Sequence, residues 1–281
     1  MLETALNMSA INEGDLRYFL SYINCKKGVD LSSYNSKFIL RRLGLRMSAT
    51  HIESCRDYIN LILRKPEEFN LFLDALSINV SKFFRDPEVF AAFRKIALSD
   101  IIRRKKATHQ RTIRAWSAGC SLGEEAYSLA IIMKEEFQKN GDNFIGKVWA
   151  TDVDNHALEK AKIGEYEPSS LEEVSPQQLE KYFIQVSSGN YRAKDDIKQM
   201  VKFVKHNLIS DPPLKCMDII FCRNVLIYLI HQQHELLFEV FNQALNPKGY
   251  LVTGKVEGIW GHAKNLLTAV DASGRIYQKV K

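Results

Sequence analysis

The sequence has few of the features that mark secreted, metal-binding or membrane-spanning chains. Its five cysteines are odd in number and none forms a Cys-x-x-Cys pair, so neither a disulfide framework nor a zinc site is indicated. No uninterrupted apolar run approaches the ~18 residues of a membrane span, and residues 1–10 lack the basic and apolar regions of a signal peptide. These absences predict a globular protein of the cytoplasm that does not insert into a membrane.

Histidine pairs that could hold a metal are also scarce. His231 and His234 are one helical turn apart, but no third ligand is apparent near them. We interpret them as a pair on a helix face, and no metal site is predicted.

The composition allows a full core and a positively charged surface. A chain of 281 residues with 46% hydrophobic content has the length of one large or two modest domains. The net charge of +6 predicts an acidic partner. Two clusters of basic residues stand out: Lys37, Arg41, Arg42 and Arg46, and residues 103–106. Neither is interleaved with the aromatic residues that single-stranded nucleic acid needs, so nucleic acid is not an expected partner.

The first part of the chain has helical periodicity throughout. Apolar residues recur at helical spacing from about residue 12 to residue 78, which predicts an all-helical domain over residues 1–78. The first basic cluster lies in one helix, where Lys37 and Arg41 share a face. That helix could present four cations to a partner, and a solvated helix face is the alternative.

A linker and connecting helix are predicted for residues 79–110. Pro87 suits the first position of a helix, with Asp86 as its cap. Arg85 is therefore expected at a junction between a loop and a helix.

The rest of the chain is organised around a glycine-containing turn. A short apolar run at residues 113–117 predicts a buried strand, Gly119 and Gly123 break it, and a helix begins at Glu124. Glycines let the backbone approach a ligand closely. The acids Glu124 and Glu125 would repel a phosphate and favour a ligand with hydroxyls or positive charge, such as S-adenosylmethionine. An ordinary strand-to-helix turn is the alternative.

Two further strands carry polar residues at their ends. Residues 147–152 predict a strand parallel to the first, which makes Asp152 a candidate for binding ribose hydroxyls and leaves Asp154 to cap the next helix. The apolar strand at residues 217–222 ends at Arg223 and Asn224, where open α/β sheets bind ligands.

Together, these patterns predict an α/β domain over residues 111–281 that contains a small inserted β-subdomain at about residues 184–206.

Five blocks, taken together, resemble the CheR-type chemoreceptor glutamate methyltransferases. The blocks are residues 79–85, 116–130, 150–154, 207–208 and 220–228. The resemblance implies a Rossmann-like S-adenosylmethionine methyltransferase domain with a small antiparallel β-subdomain, preceded by an all-helical domain. After the last long strand the family usually shows Gly-x-Ser-Glu, whereas this chain has Gly254-Lys255-Val256-Glu257, which lacks the serine.

The resemblance also implies a set of site residues. The cofactor-binding candidates, with Gly119 added from the glycine turn, are Asn79, Ser81, Arg85, Gly119, Glu124 or Glu125, Asp152, Asn207, Leu208, Arg223 and Asn224. Arg85 and Tyr228 are expected to face the reacting centre. The partner is expected to be the acidic helical domain of a chemoreceptor, contacted by the first basic cluster.

The expected chemistry is methyl transfer to a glutamate carboxylate in chemotaxis adaptation. A carboxylate with a pKa of ~4.3 is already ionised at neutral pH, so no general base is required. Alignment in a water-poor pocket would supply the catalysis, with Arg85 holding the carboxylate by paired hydrogen bonds. Two alternatives stay open: a methyltransferase for RNA or a small molecule, and a related module that senses the cofactor or docks a signalling array with little or no activity.

Overall fold

The structure is a computed structural model that describes residues 11–76, 81–139, 141, 143–187 and 189–280. The chain forms two compact units. One consists of Met1–Ile78 with Tyr228–His231, and the other of Asn79–Ile227 with Gln232–Lys281.

The first unit is built from helices packed around an aromatic centre. Its helices are α1 (Glu13–Lys27), α2 (Ser36–Ala49), α3 (Cys55–Arg64) and α4 (Pro66–Leu76). Helix α1 begins at a capping box, because the Asn12 side chain accepts from the N–H of Asp15 and the Asp15 side chain accepts from the N–H of Asn12. Phe19 and Phe72 meet edge to face with ring centroids 5.1 Å apart, and both are fully buried.

The second unit alternates helices and strands. After its first helices come strand, helix and strand in repeated order, with these bounds: α5 (Pro87–Phe93), a π-helical turn (Arg94–Leu98), α6 (Ser99–Ala107), β1 (Thr112–Ala118), α7 (Glu124–Lys139), β2 (Ile145–Asp152), α8 (Asn155–Ile163), β3 (Glu165–Tyr166), a 3₁₀ turn (Pro168–Leu171), α9 (Pro176–Tyr182), β4 (Phe183–Gln185), β5 (Tyr191–Ala193), α10 (Asp195–Lys198), β6 (Val201–Lys205), β7 (Met217–Cys222), a 3₁₀ turn (Leu226–Tyr228), α11 (His231–Ala244), β8 (Leu245–Thr253), α12 (Ala263–Leu266), β9 (Leu267–Asp271) and β10 (Ile276–Lys279).

Seven of these strands form one twisted sheet in the order β6-β2-β1-β7-β8-β10-β9. The first five are parallel, and β10 runs antiparallel to both of its neighbours, β8 and the edge strand β9. The chain leaves β1 toward β2 on one side and returns to β7 on the other. The junction between β1 and β7 is therefore the point where the strand order reverses, and ligands bind outside the carboxyl ends of strands at such a point.

Burial explains the central strands. Every residue of β7 is buried, as expected for an apolar strand covered on both faces. Helix α7 packs on the sheet with Leu129, Ala130 and Met133 fully buried. The predicted parallel pairing of β1 with β2 is confirmed over residues 112–118 and 145–151.

The small β-subdomain begins and ends earlier in the chain than the sequence predicts. It is a three-stranded antiparallel sheet in the order β3-β5-β4. The prediction was wrong for residues 201–205, which form β6 and pair in parallel with β2 in the large sheet. The reason is packing: the Phe203 ring lies 5.5 Å from the Tyr127 ring of α7, so β6 continues the core of the large sheet.

Within the described part of the chain, no helix is both long and apolar enough to cross a bilayer.

Candidate active site

The glycine turn (residues 119–123) joins β1 to α7 at the carboxyl edge of the sheet. The N–H groups of Gly119 and Cys120 donate to the carbonyl of Thr151, at 2.8 and 2.9 Å. Gly119 has a φ of 78°, and a Cβ there would lie 2.5 Å from Cγ2 of Val225. Only glycine fits this position, because the backbone is left-handed and the neighbouring loop closes onto it.

Asp152 ends β2 beside the glycine turn. Its Oδ2 accepts the N–H of Ser121 at 2.8 Å and its Oδ1 accepts the N–H of Asp154 at 3.0 Å. Burial raises the pKa of Asp152. Asp154 accepts from the N–H groups of His156 and Ala157, which confirms its predicted role as the cap of α8.

The paired acids at the start of α7 occupy different environments. Glu125 is partly buried and accepts from the Ser117 hydroxyl at 2.7 Å. Burial raises the pKa of Glu125, while the positive charge of Arg223 lowers it. Glu124 is 1% exposed, and its Oε2 has no hydrogen-bond partner among the described residues. Burial raises the pKa of Glu124 to about 7. Burial is the stronger of the two effects, so the pKa of Glu125 is raised on balance. Glu125 therefore lies at the site edge beside Ser117, and Glu124 lies in the core.

Arg223 follows β7 and turns back onto the loop that carries Arg85. Its Nη1 donates to the carbonyl of Arg85 at 2.8 Å, and its Nη2 forms an ion pair with Asp86. The guanidinium also lies 5.5 Å from the centre of the Phe90 ring. The buried side chain of Arg223 thus fixes the backbone of Arg85, whose own side chain is exposed.

Asp86 occupies the predicted cap position of α5, but its side chain does not cap the helix. Its φ of 59° is left-handed, and its side chain makes no cap hydrogen bond. The carboxylate instead pairs with Arg223 and with Nζ of Lys255, the latter at 3.0 Å. Burial alone would raise the pKa of Asp86, but the hydrogen bond from Lys255 and the charge of Arg223 outweigh it and the pKa is lowered. The cap prediction failed because two cations compete for this carboxylate.

The turn after β7 (residues 223–227) carries Asn224. The N–H of Asn224 donates to Oε2 of Glu257 at 2.7 Å, and the φ of Asn224 is 60°. On the other side of the turn, Nε2 of His234 donates to the carbonyl of Leu226 at 2.7 Å. His234 is buried, so its place is in the interior and not on an open helix face. Sequence reasoning missed both roles, although Gly254-Lys255-Val256-Glu257 keeps an acid that could have signalled the first.

The segment after β6 carries two further candidates near Asp152. Asn207 and Leu208 follow β6, and the N–H of the preceding His206 donates to the carbonyl of Asp152 at 2.9 Å. Asn207 is exposed and its Oδ1 accepts the N–H of Ile209 at 2.9 Å, whereas Leu208 is buried. Ser81 is partly buried. Asn79 lies outside the described residues.

Tyr228 belongs to the helical unit. Its carbonyl accepts the N–H of Asn35 at 2.8 Å, and its ring lies 4.9 Å from the ring of Phe38. Leu229 forms an antiparallel bridge with Tyr34. The backbone around Tyr228 is therefore fixed beside the start of α2.

The first basic cluster is split by the structure. Arg46 makes a two-pronged ion pair with Glu68, at 3.0 and 2.8 Å, and Glu68 also accepts from the Tyr58 hydroxyl at 2.7 Å. Arg42 is partly buried 5.5 Å from the centre of the Phe38 ring, and this burial lowers its pKa. Of the four cations, Lys37 and Arg41 are the exposed ones. The prediction that all four face a partner is wrong for Arg46, because Glu68 holds it inside the unit.

These residues fit S-adenosylmethionine. The acids Asp152 and Glu125 lie beside the glycine turn and suit a ribose diol and a cationic sulfonium. A parallel sheet that offers acids and a glycine turn at its point of strand reversal defines an α/β protein that binds a nucleoside cofactor.

Comparison with known proteins gives the family. Residues 79–275 match the family model described as CheR methyltransferase, SAM binding domain, and residues 14–77 match CheR methyltransferase, all-alpha domain. The chain belongs to the CheR methyltransferase family and is an S-adenosylmethionine-dependent methyltransferase. The resemblance seen in the sequence is confirmed.

Several curated proteins are similar over most of this chain. Chemotaxis protein methyltransferase 2 of Vibrio cholerae is 32% identical over 259 residues, which cover 90% of this chain and 88% of that protein. The chemotaxis protein methyltransferase of Borreliella burgdorferi is 31% identical over 260 residues, 91% of this chain and 92% of that protein. An uncharacterized 104.1 kDa protein of Rhodobacter capsulatus is 30% identical over 253 residues, which are 90% of this chain but 26% of that protein.

Proposed function

We propose that this protein methylates glutamate side chains of chemoreceptors in the cytoplasm, giving glutamate methyl esters in chemotaxis adaptation. The relatives named chemotaxis protein methyltransferase support the process. The observation that carries the acceptor class is the fixed position of Arg85: its carbonyl accepts from the buried Arg223 while its side chain is exposed. A planar guanidinium carried on a backbone that is fixed in this way is suited to bind a carboxylate by two parallel hydrogen bonds.

S-adenosylmethionine supplies a methyl group on a cationic sulfur. Asp152 would hold its ribose hydroxyls, and Glu125 would place negative charge near the cation. Of the two acids that begin α7, Glu125 is therefore the one proposed for the cofactor. The other residues proposed to line it are Asn79, Ser81, Arg85, Gly119, Asn207, Leu208, Arg223 and Asn224.

The carboxylates at this edge accept hydrogen bonds from other parts of the chain, and the proposed reaction needs none of them as a general base. Asp152 accepts two backbone N–H groups and Glu125 accepts a hydroxyl. A glutamate acceptor is ionised at neutral pH and needs no base. The residues therefore act by alignment and by excluding water, with Arg85 orienting the acceptor and Tyr228 adding a hydrogen bond or packing near the methyl group.

The receptor side of the proposal rests on charge. Lys37 and Arg41 are exposed on one face of α2, and a chemoreceptor's cytoplasmic helical domain is expected to be acidic. Arg42, whose guanidinium lies over Phe38, could contribute at the edge of this face. Arg46 is excluded by its pairing with Glu68.

The test is transfer of a radiolabelled methyl group from the cofactor to a receptor's cytoplasmic fragment. Label that is released by mild alkali as volatile methanol, and that is lost when the receptor glutamates are replaced by glutamine, is the expected result. Arg85→Lys keeps the charge but loses the planar fork, so we expect normal cofactor affinity with slower single turnover. Cofactor binding without transfer to any receptor fragment would favour a sensing or docking module instead.

A further inference from the structure

The carboxylate of Glu257 holds the turn after β7 by its backbone. Its Oε2 accepts the N–H groups of Asn224 and Gly254, each at 2.7 Å, and its Oε1 accepts the N–H of Ile227 at 3.3 Å. The backbone of Glu257 is fixed in turn, because its carbonyl accepts from the Thr253 hydroxyl at 2.5 Å. A single side chain thus satisfies donors from two loops.

The surroundings make this arrangement costly to disturb. Glu257 is 2% exposed, and a buried carboxylate without hydrogen bonds is strongly destabilising. Asn224 has a left-handed backbone with φ of 60°, a conformation that asparagine tolerates better than most non-glycine residues. Gly254 is required too, because a Cβ there would lie 2.4 Å from Oε2 of Glu257.

The turn that Glu257 holds closes onto the glycine turn. Val225 lies between Asn224 and Ile227, and its Cγ2 occupies the space that a Cβ on Gly119 would enter, at 2.5 Å. Any shift of the turn after β7 would therefore move the side chain that packs on Gly119. The physical path runs from the Glu257 carboxylate through two backbone N–H groups to Val225 and the glycine turn.

We infer that Glu257 is a positioning residue for cofactor binding, which acts by fixing the turn after β7 against the glycine turn. The inference rests on the proposed cofactor-binding role of Asn224 and Gly119. Val256, which stands where the family usually has serine, is 75% exposed and therefore lies outside the buried arrangement around the Glu257 carboxylate.

The test is calorimetric binding of S-adenosylhomocysteine to the full chain. Glu257→Gln offers one acceptor oxygen and sets an NH₂ group against backbone donors, so we expect affinity to fall by about tenfold, the equivalent of one lost hydrogen bond to a charged group. Gly254→Ala keeps the Glu257 carboxylate, but the new Cβ would displace its Oε2. This variant should therefore weaken binding to a similar extent. Val256→Ser is the matched control and should bind as the unaltered protein does. Unchanged affinity in both Glu257→Gln and Gly254→Ala would overturn the inference.

Amide hydrogen exchange in the unaltered protein tests the same contacts without relying on variants that could misfold. The amide hydrogens of Asn224 and Ile227 should exchange slowly with solvent, and Asn224 should show the downfield proton shift of an N–H bonded to a carboxylate. Exchange of the Asn224 amide at the rate of an open loop would overturn the inference. Neither measurement uses a receptor, so both results would stand even if the acceptor proved not to be a glutamate. Normal cofactor affinity with impaired turnover in Glu257→Gln and Gly254→Ala would count against a role of Glu257 in positioning the cofactor site.

Discussion

The buried guanidinium of Arg223 donates both to the carbonyl of Arg85 and to the carboxylate of Asp86. The first contact fixes the backbone of the proposed acceptor-binding residue, and the second neutralises a partly buried acid next to it. The side chain of Arg223 therefore serves the Arg85 loop, and we propose that its contribution to the cofactor site comes through that loop.

Removing the guanidinium should destabilise the second unit. Arg223→Met leaves Asp86 and the Arg85 carbonyl without their partner, so we expect a loss of about 3 kcal/mol in the free energy of unfolding, measured in urea. Lys255→Met is the control, because its solvated ion pairs with Asp86 and Glu88 should contribute little. Equal effects of the two substitutions would contradict the buried role of Arg223.

Glu124 should make stability fall as pH rises. Its folded pKa of about 7 lies above the value of ~4.3 expected in the unfolded chain. The folded state therefore binds more protons between these values, and stability declines from about pH 4 until the group is ionised above pH 7. Glu124→Gln should remove this decline. The difference in the free energy of unfolding between the variant and the unaltered protein should therefore shift by about 3 kcal/mol in favour of the variant from pH 4 to pH 8. Parallel pH profiles for the two proteins, measured by urea unfolding, would show that Glu124 ionises normally.

Asp152 should matter for the cofactor and Asp154 should not. Asp152→Asn keeps the shape but loses a charged acceptor, so we expect affinity for S-adenosylhomocysteine to fall by ~1.5–3 kcal/mol. Asp154→Asn is the control, since asparagine also caps a helix well. Calorimetry that finds the two variants alike would remove Asp152 from the ribose site.

The two arginines of α2 should respond differently to charge reversal. Arg41→Glu changes an exposed side chain, so we expect receptor association to slow on the order of tenfold at low salt, with stability unchanged. Arg46→Glu places a second acid against Glu68 and should instead cost about 3 kcal/mol of stability. If Arg41→Glu leaves association and its salt dependence unaltered, α2 is a solvated face.

Local sequence patterns predicted the helices and strands, but contacts between residues distant in sequence determined the environments of the side chains. The apolar run of β7 and the break at Gly119 indicate buried strand and turn because each depends on neighbouring residues alone. The contact between Arg46 and Glu68 joins residues 22 apart in sequence, and that between Glu257 and Asn224 joins residues 33 apart. Helical spacing can place Arg46 on one face of α2, but only the packed helices show that Glu68 lies against that face.

The chemistry of the acceptor is tested most directly by the pH dependence of the single-turnover rate at saturating cofactor and receptor. The Glu124→Gln variant is used, so that ionisation of Glu124 near pH 7 does not affect the rate. A glutamate acceptor is ionised throughout, so the rate should be flat between about pH 6 and about pH 9. A rate that rises tenfold with each pH unit would show that a proton must leave the acceptor first, as from an amine, thiol or hydroxyl, and would contradict carboxylate methylation.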